Sequence, residues 1–239
     1  MINQKEKLGT LVRLNPAYAP ILLKQNIDFC CGGNRSLEDA ANEASADLNH
    51  LIALLESTDK EAATNSNDNY DDYTFEELIN HILKAHHEFI YNESETTLIL
   101  LNKVVKVHGE NHPELYRIKS IVEGIIEELY LHQRKEENIL FPYIVAMDYA
   151  IRNNESVPQS CFGDIRNPIR AMESDHITTG NVLMELKTLT DNFTAPENAC
   201  NSYIALYQRL NELFNNIIQH IHLENNILHP KAIERFNQQ

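Results

Sequence analysis

"HQRKEENILFP" (His132–Pro142) and "HIHLENNILHP" (His220–Pro230) both read H-x3-E-x-N-I-L-x-P. A match of this length with identical spacing points to an internal duplication, two halves of a bundle with two helices in each. Within each copy the His and the Glu stand four residues apart. On a helix that spacing puts both on one face, with Cβ atoms about 5–6 Å apart. Ile125, Leu129, His132, Glu136, Ile139 and Tyr143 form one stripe, and Leu213, Ile217, His220, Glu224 and Ile227 form the other. Both pairs interrupt an apolar seam, so both point inward. A buried carboxylate is costly unless it is paired or bound to a metal. One His–Glu pair is readily explained as a hydrogen-bonded core pair. The same costly feature twice, at matched spacing, favours a metal.

More ligands are expected from the other two helices. In "MESDHITTG", His176 shares a stripe with Ile169, Met172, Gly180 and Leu183 and faces inward. In "HILKAHHEF", His81 shares the face of Glu77, Lys84 and Glu88 and reads as solvent-facing. His87 lies on the stripe of Ile79, Leu83 and Ile90 and is the stronger candidate, with His86 as the alternative. The duplication favours His87: it precedes His132 by 45 residues, and His176 precedes His220 by 44. Four imidazoles and two carboxylates suit Fe, Mn or Zn. Zinc ordinarily takes four ligands in a tetrahedron. Six protein ligands shared by two ions, with Glu136 and Glu224 bridging, favour a non-haem di-iron centre within a four-helix bundle. The remaining positions suit a bridging oxide, water or a small gas.

Working outward, helical signals dominate the 239 residues and strand-like alternation is scarce. The predicted fold is all-α, an antiparallel four-helix bundle preceded by a small helical domain. The bundle helices are expected at about 74–107, 113–152 (broken near Pro142), 168–190 and 196–228, the last ending before Pro230. Thr74 with Glu77 makes a capping box for the first. "STDKEAATNSNDNYDDY" (Ser57–Tyr73) is polar and acidic and reads as a linker. The predicted extents are therefore 1–56 for the small domain, 57–73 for the linker and 74–239 for the bundle. With 20 Lys and Arg against 35 Asp and Glu, the net charge of −15 argues against nucleic acid and against an anionic membrane as partners. The opening MINQKEKLGT lacks the apolar run of a secretory signal, and four cysteines are too few for a disulfide framework. A reducing cytoplasm is the expected compartment.

These motifs resemble a known family. The larger unit is similar to hemerythrin-like domains, and the whole chain resembles the bacterial iron–sulfur cluster repair di-iron proteins, the RIC family. "NIDFCCGG" (Asn26–Gly33), "HILKAHH" (His81–His87), "ESDH" (Glu173–His176) and the two copies of the duplicated motif carry the likeness. The resemblance implies two non-haem iron ions, oxo-bridged, held by His87, His132, Glu136, His176, His220 and Glu224, and so supports His87 over His86. His108, in "VVKVHGE", resembles a histidine of relatives and is left without a role. The implied function is repair of iron–sulfur clusters damaged by oxidative or nitrosative stress, by supplying iron. Damaged iron–sulfur proteins and the gases NO and O2 are the implied partners, and a homodimer the implied assembly. Reduction of nitric oxide at the same site is the alternative, and a small-gas binder or sensor the third reading.

Cys30 and Cys31 stand before a helix-start signal, Ser36 with Asp39. A thiol near a helix N-terminus tends toward thiolate, and Gly32 and Gly33 would keep the pair open. The pair is expected to be a redox or iron-handling site serving the metal centre, brought to it by the linker. Cys161 and Cys200 read as structural or incidental.

Overall fold

The computed structural model describes residues 2–62 and 70–238. The chain is all-α. Among the described residues there is no strand, only an isolated bridge between Lys7 and Ser36. The helices are α1 (Leu8–Leu14), α2 (Ala19–Lys24), α3 (Leu37–Glu43), α4 (Leu48–Ala62), α5 (Phe75–Ile82), α6 (Glu88–His108), α7 (Glu114–Lys135), α8 (Phe141–Arg152), α9 (Arg166–Leu189), α10 (Asn201–Leu223) and α11 (His229–Phe236). Two compact units result. One comprises Met1–Leu78 with Ile221–Asn237; the other comprises Ile79–His220 with Gln238–Gln239.

The second unit holds the long helices α6, α7, α9 and α10 as far as His220. α7 packs on both α6 and α9. Ile118, Ile125, Leu129, Met172, Leu183 and Leu210 are among its buried side chains. Among the described residues, three π turns interrupt the helical paths: Leu83–His87, Glu136–Leu140 and Glu224–Leu228. Two have a visible cause. Pro142 and Pro230 lie in the first turn of α8 and α11. A proline ring has no N–H to give and clashes with the carbonyl four residues back, so the ladder slips by one residue just before it. The slip turns the next face. Ile139, expected on the buried stripe, is 46% exposed, whereas Leu140 and Ile144 take the core positions. Pro230 does not end the last helix, because a proline in a first turn is tolerated and α11 runs on to Phe236. The first π turn has no proline.

In the first unit α1 pairs its opening N–H groups with the loop that carries the cysteines: Leu8 N–H donates to Arg35 O (3.0 Å) and Gly9 N–H to Gly33 O (2.9 Å). Ser36 caps α3, accepting from Asp39 N–H. The helix that starts after Ser36 ends at Glu43, and Ser45 adopts a positive φ in the break before α4. Arg13 pairs with Asp71 at 2.9 Å, and Lys231 of α11 donates to the carbonyls of Asp71 and Tyr73. Of the stretch expected as a linker, 57–62 continues α4, Tyr70–Asp72 forms a 3-10 turn with Tyr70 buried, and 63–69 lies outside the described residues. No helix among the described residues is long and apolar enough to cross a membrane.

Candidate metal centre

His132 and His220 come from α7 and α10, and His176 from α9; all three are buried. The π turns supply the rest: His87 ends the first, Glu136 begins the second and Glu224 begins the third. A π turn widens the helix by one residue and advances the next side chain toward the axis, which is why such turns gather at functional sites. Glu224 follows His220 by four residues along one unbroken helical path, and both glutamates have no exposed surface.

The imidazoles meet tip to tip. His87 Nε2 lies 3.2 Å from His220 Nε2, and His132 Nε2 lies 2.9 Å from His176 Nε2. Two nitrogens held cis by metal bonds of about 2.1 Å would stand about 3.0–3.4 Å apart. Glu136 reaches both pairs: Oε1 is 3.1 Å from His132 Nε2, and Oε2 is 3.5 Å from His87 Nε2. Ligand atoms of His87, Glu136, His220 and Glu224 lie within 4.8 Å of one another, and so do those of His132, Glu136, His176 and Glu224. Both groups could hold a metal ion, and both glutamates belong to each.

Tautomers follow from the outer partners. His87 Nδ1 is 2.8 Å from Glu137 Oε1, and His132 Nδ1 is 3.3 Å from Asp175 Oδ2. An ionised carboxylate only accepts, so each Nδ1 carries the hydrogen and each Nε2 turns its lone pair inward. Partial burial pulls the Asp175 carboxyl upward. Hydrogen bonds from Lys135 and His132 outweigh that pull and hold it below the usual carboxylate range. A cleft of ≈ 280 Å³ opens beside His132, with Asp175, Lys135 and Thr179 in its wall. Glu137 falls off the apolar stripe in the sequence, and nothing in the spacing singles out Asp175. Partners that approach from the solvent side carry no periodic signal.

His86 is buried as well, but it turns elsewhere. Its Nδ1 lies 3.2 Å from Asn216 Oδ1, and its ring stacks on His220 at 5.7 Å. His108 belongs to neither metal group: its Nε2 meets Cys200 Sγ at 3.2 Å, and its ring clusters with those of His112 and Tyr203. Cys200 therefore has a histidine partner that its sequence context does not show.

The thiol loop departs from expectation. Ser36 caps α3 as the sequence indicates, with Cys30 and Cys31 before it; the departure lies in the state of Cys30. Cys30 is 2% exposed and Cys31 half-buried. The hydrogen bond with Cys31, then burial, then the charge of Asp28 raise the Cys30 thiol well above its ordinary value, so it stays protonated rather than becoming thiolate. Asp28 organises the turn: Oδ1 accepts from Cys30 N–H (2.9 Å) and Cys31 N–H (3.0 Å), and Oδ2 accepts from Gly32 N–H (3.0 Å).

The hemerythrin HHE cation binding domain matches residues 78–232, and a domain of unknown function, DUF542, matches residues 4–59. An iron–sulfur cluster repair protein YtfE of Yersinia pseudotuberculosis serotype IB (strain PB1/+) is 33% identical over 230 residues, 96% of this chain and 97% of its own length. The YtfE protein of Yersinia pestis (strain Pestoides F) is 33% identical over the same shares. The chain belongs to the iron–sulfur cluster repair (RIC) family. Its hemerythrin-type segment carries all six inward His and Glu residues, and its DUF542 segment carries Asp28, Cys30 and Cys31. Iron binding is what a hemerythrin domain implies, and the donor set of imidazole and carboxylate fits iron.

Proposed function

We propose that the chain holds two non-haem iron ions, oxo-bridged, with His87 and His220 on one, His132 and His176 on the other, and Glu136 and Glu224 shared. Its function is repair of iron–sulfur clusters damaged by oxidative or nitrosative stress, by supplying iron to damaged iron–sulfur proteins. The assembly is a cytoplasmic homodimer. The observation that carries the reading is the sharing of both glutamates by two ligand groups, together with kinship to the YtfE repair proteins. When bound, the iron pair would supply a store that can be given up and open positions for small gases. The chain's own residues do the rest. Glu137 and Asp175 hold two imidazoles in the ligating tautomer, and burial excludes bulk water from the carboxylates. Cys30 and Cys31 form a redox or iron-handling pair serving this centre.

Reduction of nitric oxide is the second reading. The cleft beside His132 favours it, since a small gas needs a path to a buried centre. The test is metal analysis with Mössbauer spectroscopy, followed by incubation of the iron-loaded chain with a nitric-oxide-damaged iron–sulfur enzyme. About two irons per chain and recovery of the damaged enzyme, with loss of iron from this chain, are expected. Zinc, or a single metal per chain, would sink the dinuclear assignment. Many nitric oxide turnovers per site without iron loss would move the function to the reductase.

A further inference from the structure

We infer that Asp28, Cys30 and Cys31 form a second, mononuclear cation site that takes one exchangeable divalent ion of the Fe2+ or Zn2+ class. The inference deepens the iron-handling reading of the thiol pair and rests on it for its purpose, while its geometry stands on the loop alone. Ligand atoms of all three residues lie within 4.8 Å of one another. The two sulfurs are 3.8 Å apart. A tetrahedral ion with metal–sulfur bonds of about 2.3 Å needs them about 3.8 Å apart. Asp28 Oδ1 lies 3.1 Å from Cys30 Sγ. A bound ion would place a carboxylate oxygen and a sulfur about 3.6 Å apart, so this contact opens by roughly 0.5 Å on loading.

The frame is preset. Three backbone N–H groups fix the Asp28 carboxylate before any ion arrives. The Arg35 guanidinium spans the same turn, donating to Asp28 O at 2.8 Å and to Gly32 O at 3.3 Å. Two thiolates and a carboxylate carry three negative charges, and a divalent ion leaves one. Thiolate donors select soft and borderline ions such as zinc and iron over magnesium or calcium. With three protein ligands a fourth position stays open, and half-exposed Cys31 gives it a route to solvent. Loading replaces the thiol protons, which leave to solvent as the two metal–sulfur bonds form. No electron changes hands.

Cobalt(II) is the probe, titrated anaerobically into the reduced full-length chain. Sulfur-to-cobalt charge transfer in the near ultraviolet reports thiolate ligation, which the imidazole and carboxylate donors of the bundle cannot produce. The band is expected to saturate at one cobalt per chain, to vanish in Cys31→Ser, and in Asp28→Asn to need at least tenfold more metal. Cys31 is half-buried, so unchanged far-ultraviolet dichroism in Cys31→Ser shows that folding survives. No band in the parent chain, or a band that persists when both Cys30 and Cys31 are serine, overturns the site. A chain whose bundle holds no iron can still show the band, and a fully loaded di-iron chain can lack it, so the two readings fail separately.

Discussion

Glu137 touches no metal position directly, yet it decides what His87 presents. Its carboxylate lies 2.8 Å from His87 Nδ1 and also accepts from the Tyr91 hydroxyl at 3.4 Å. Replacing it with leucine leaves the Nδ1 hydrogen without this acceptor and frees the ring to turn or change tautomer. Glu137→Leu is expected to weaken metal retention about 10–100-fold, the range seen when such outer partners are removed. Glu137→Gln, which keeps an acceptor oxygen, should lose less. Chelator competition against the loaded protein reads both. Equal retention in all three proteins would remove Glu137 from the site. The inward residues themselves were legible in the sequence, because four-residue spacing on an apolar stripe is a periodic signal. Glu137, Asp175 and Asp28 were not, because each acts from a loop or from the edge of a stripe.

At the scale of an element, the third π turn joins two tasks. Glu224 begins it, and its next two residues hold the thiol loop. Asn225 donates to Cys30 O at 3.2 Å, and Asn226 donates to Phe29 O at 3.3 Å and Cys30 O at 3.2 Å. Asn226 also faces His222 Nδ1 at 3.1 Å. Burial, with the nearby Arg13 charge, lowers His222 to about 4, so its neutral ring accepts that hydrogen bond. Asn226 fits against two glycines. A Cβ on Gly9 would stand 2.3 Å from its Oδ1, and a Cβ on Gly33 would stand 2.2 Å from Oδ1 and 2.7 Å from the backbone oxygen of Phe29. A backbone oxygen cannot step aside as a side chain does, so Gly33→Ala should destabilise the chain by roughly 1–3 kcal/mol. Urea unfolding of the full-length protein measures it, and a midpoint equal to the parent's would show that the loop has slack. The corresponding residue of the first copy, Asn138, only bonds back to Arg134 O of its own helix. The motif shared by both copies therefore announced a common shape but not this added role. Pro142 and Pro230 announced a break but not its width, and so Ile139 was assigned to the wrong face. Leu83–His87 had no warning, which left His86 and His87 to be separated by stripe, duplication and family resemblance.

At the scale of the whole molecule, two fully buried glutamates and four buried imidazoles are an electrostatic burden. A cation relieves that burden only while it is bound. Ligand present at a thousand times its dissociation constant adds about 4 kcal/mol to stability. In a chain of this size each kcal/mol moves the melting temperature by roughly 2–4 °C. Stripping the metal should therefore lower the melting temperature by on the order of 10 °C, read by calorimetry before and after a chelator. An unchanged transition would mean that protein partners alone satisfy the carboxylates.

The asparagine contacts on Phe29 and Cys30 also set a timetable for synthesis. The residues they secure lie near the start of the chain, while Asn225 and Asn226 lie past all six inward ligands. At about 5–20 residues per second, the ribosome needs roughly 10–40 s to travel from Cys30 to Asn226. Throughout that interval the thiol loop exists without the helix turn that fastens it. Its final fastening therefore comes only after every ligand of the iron centre has been made.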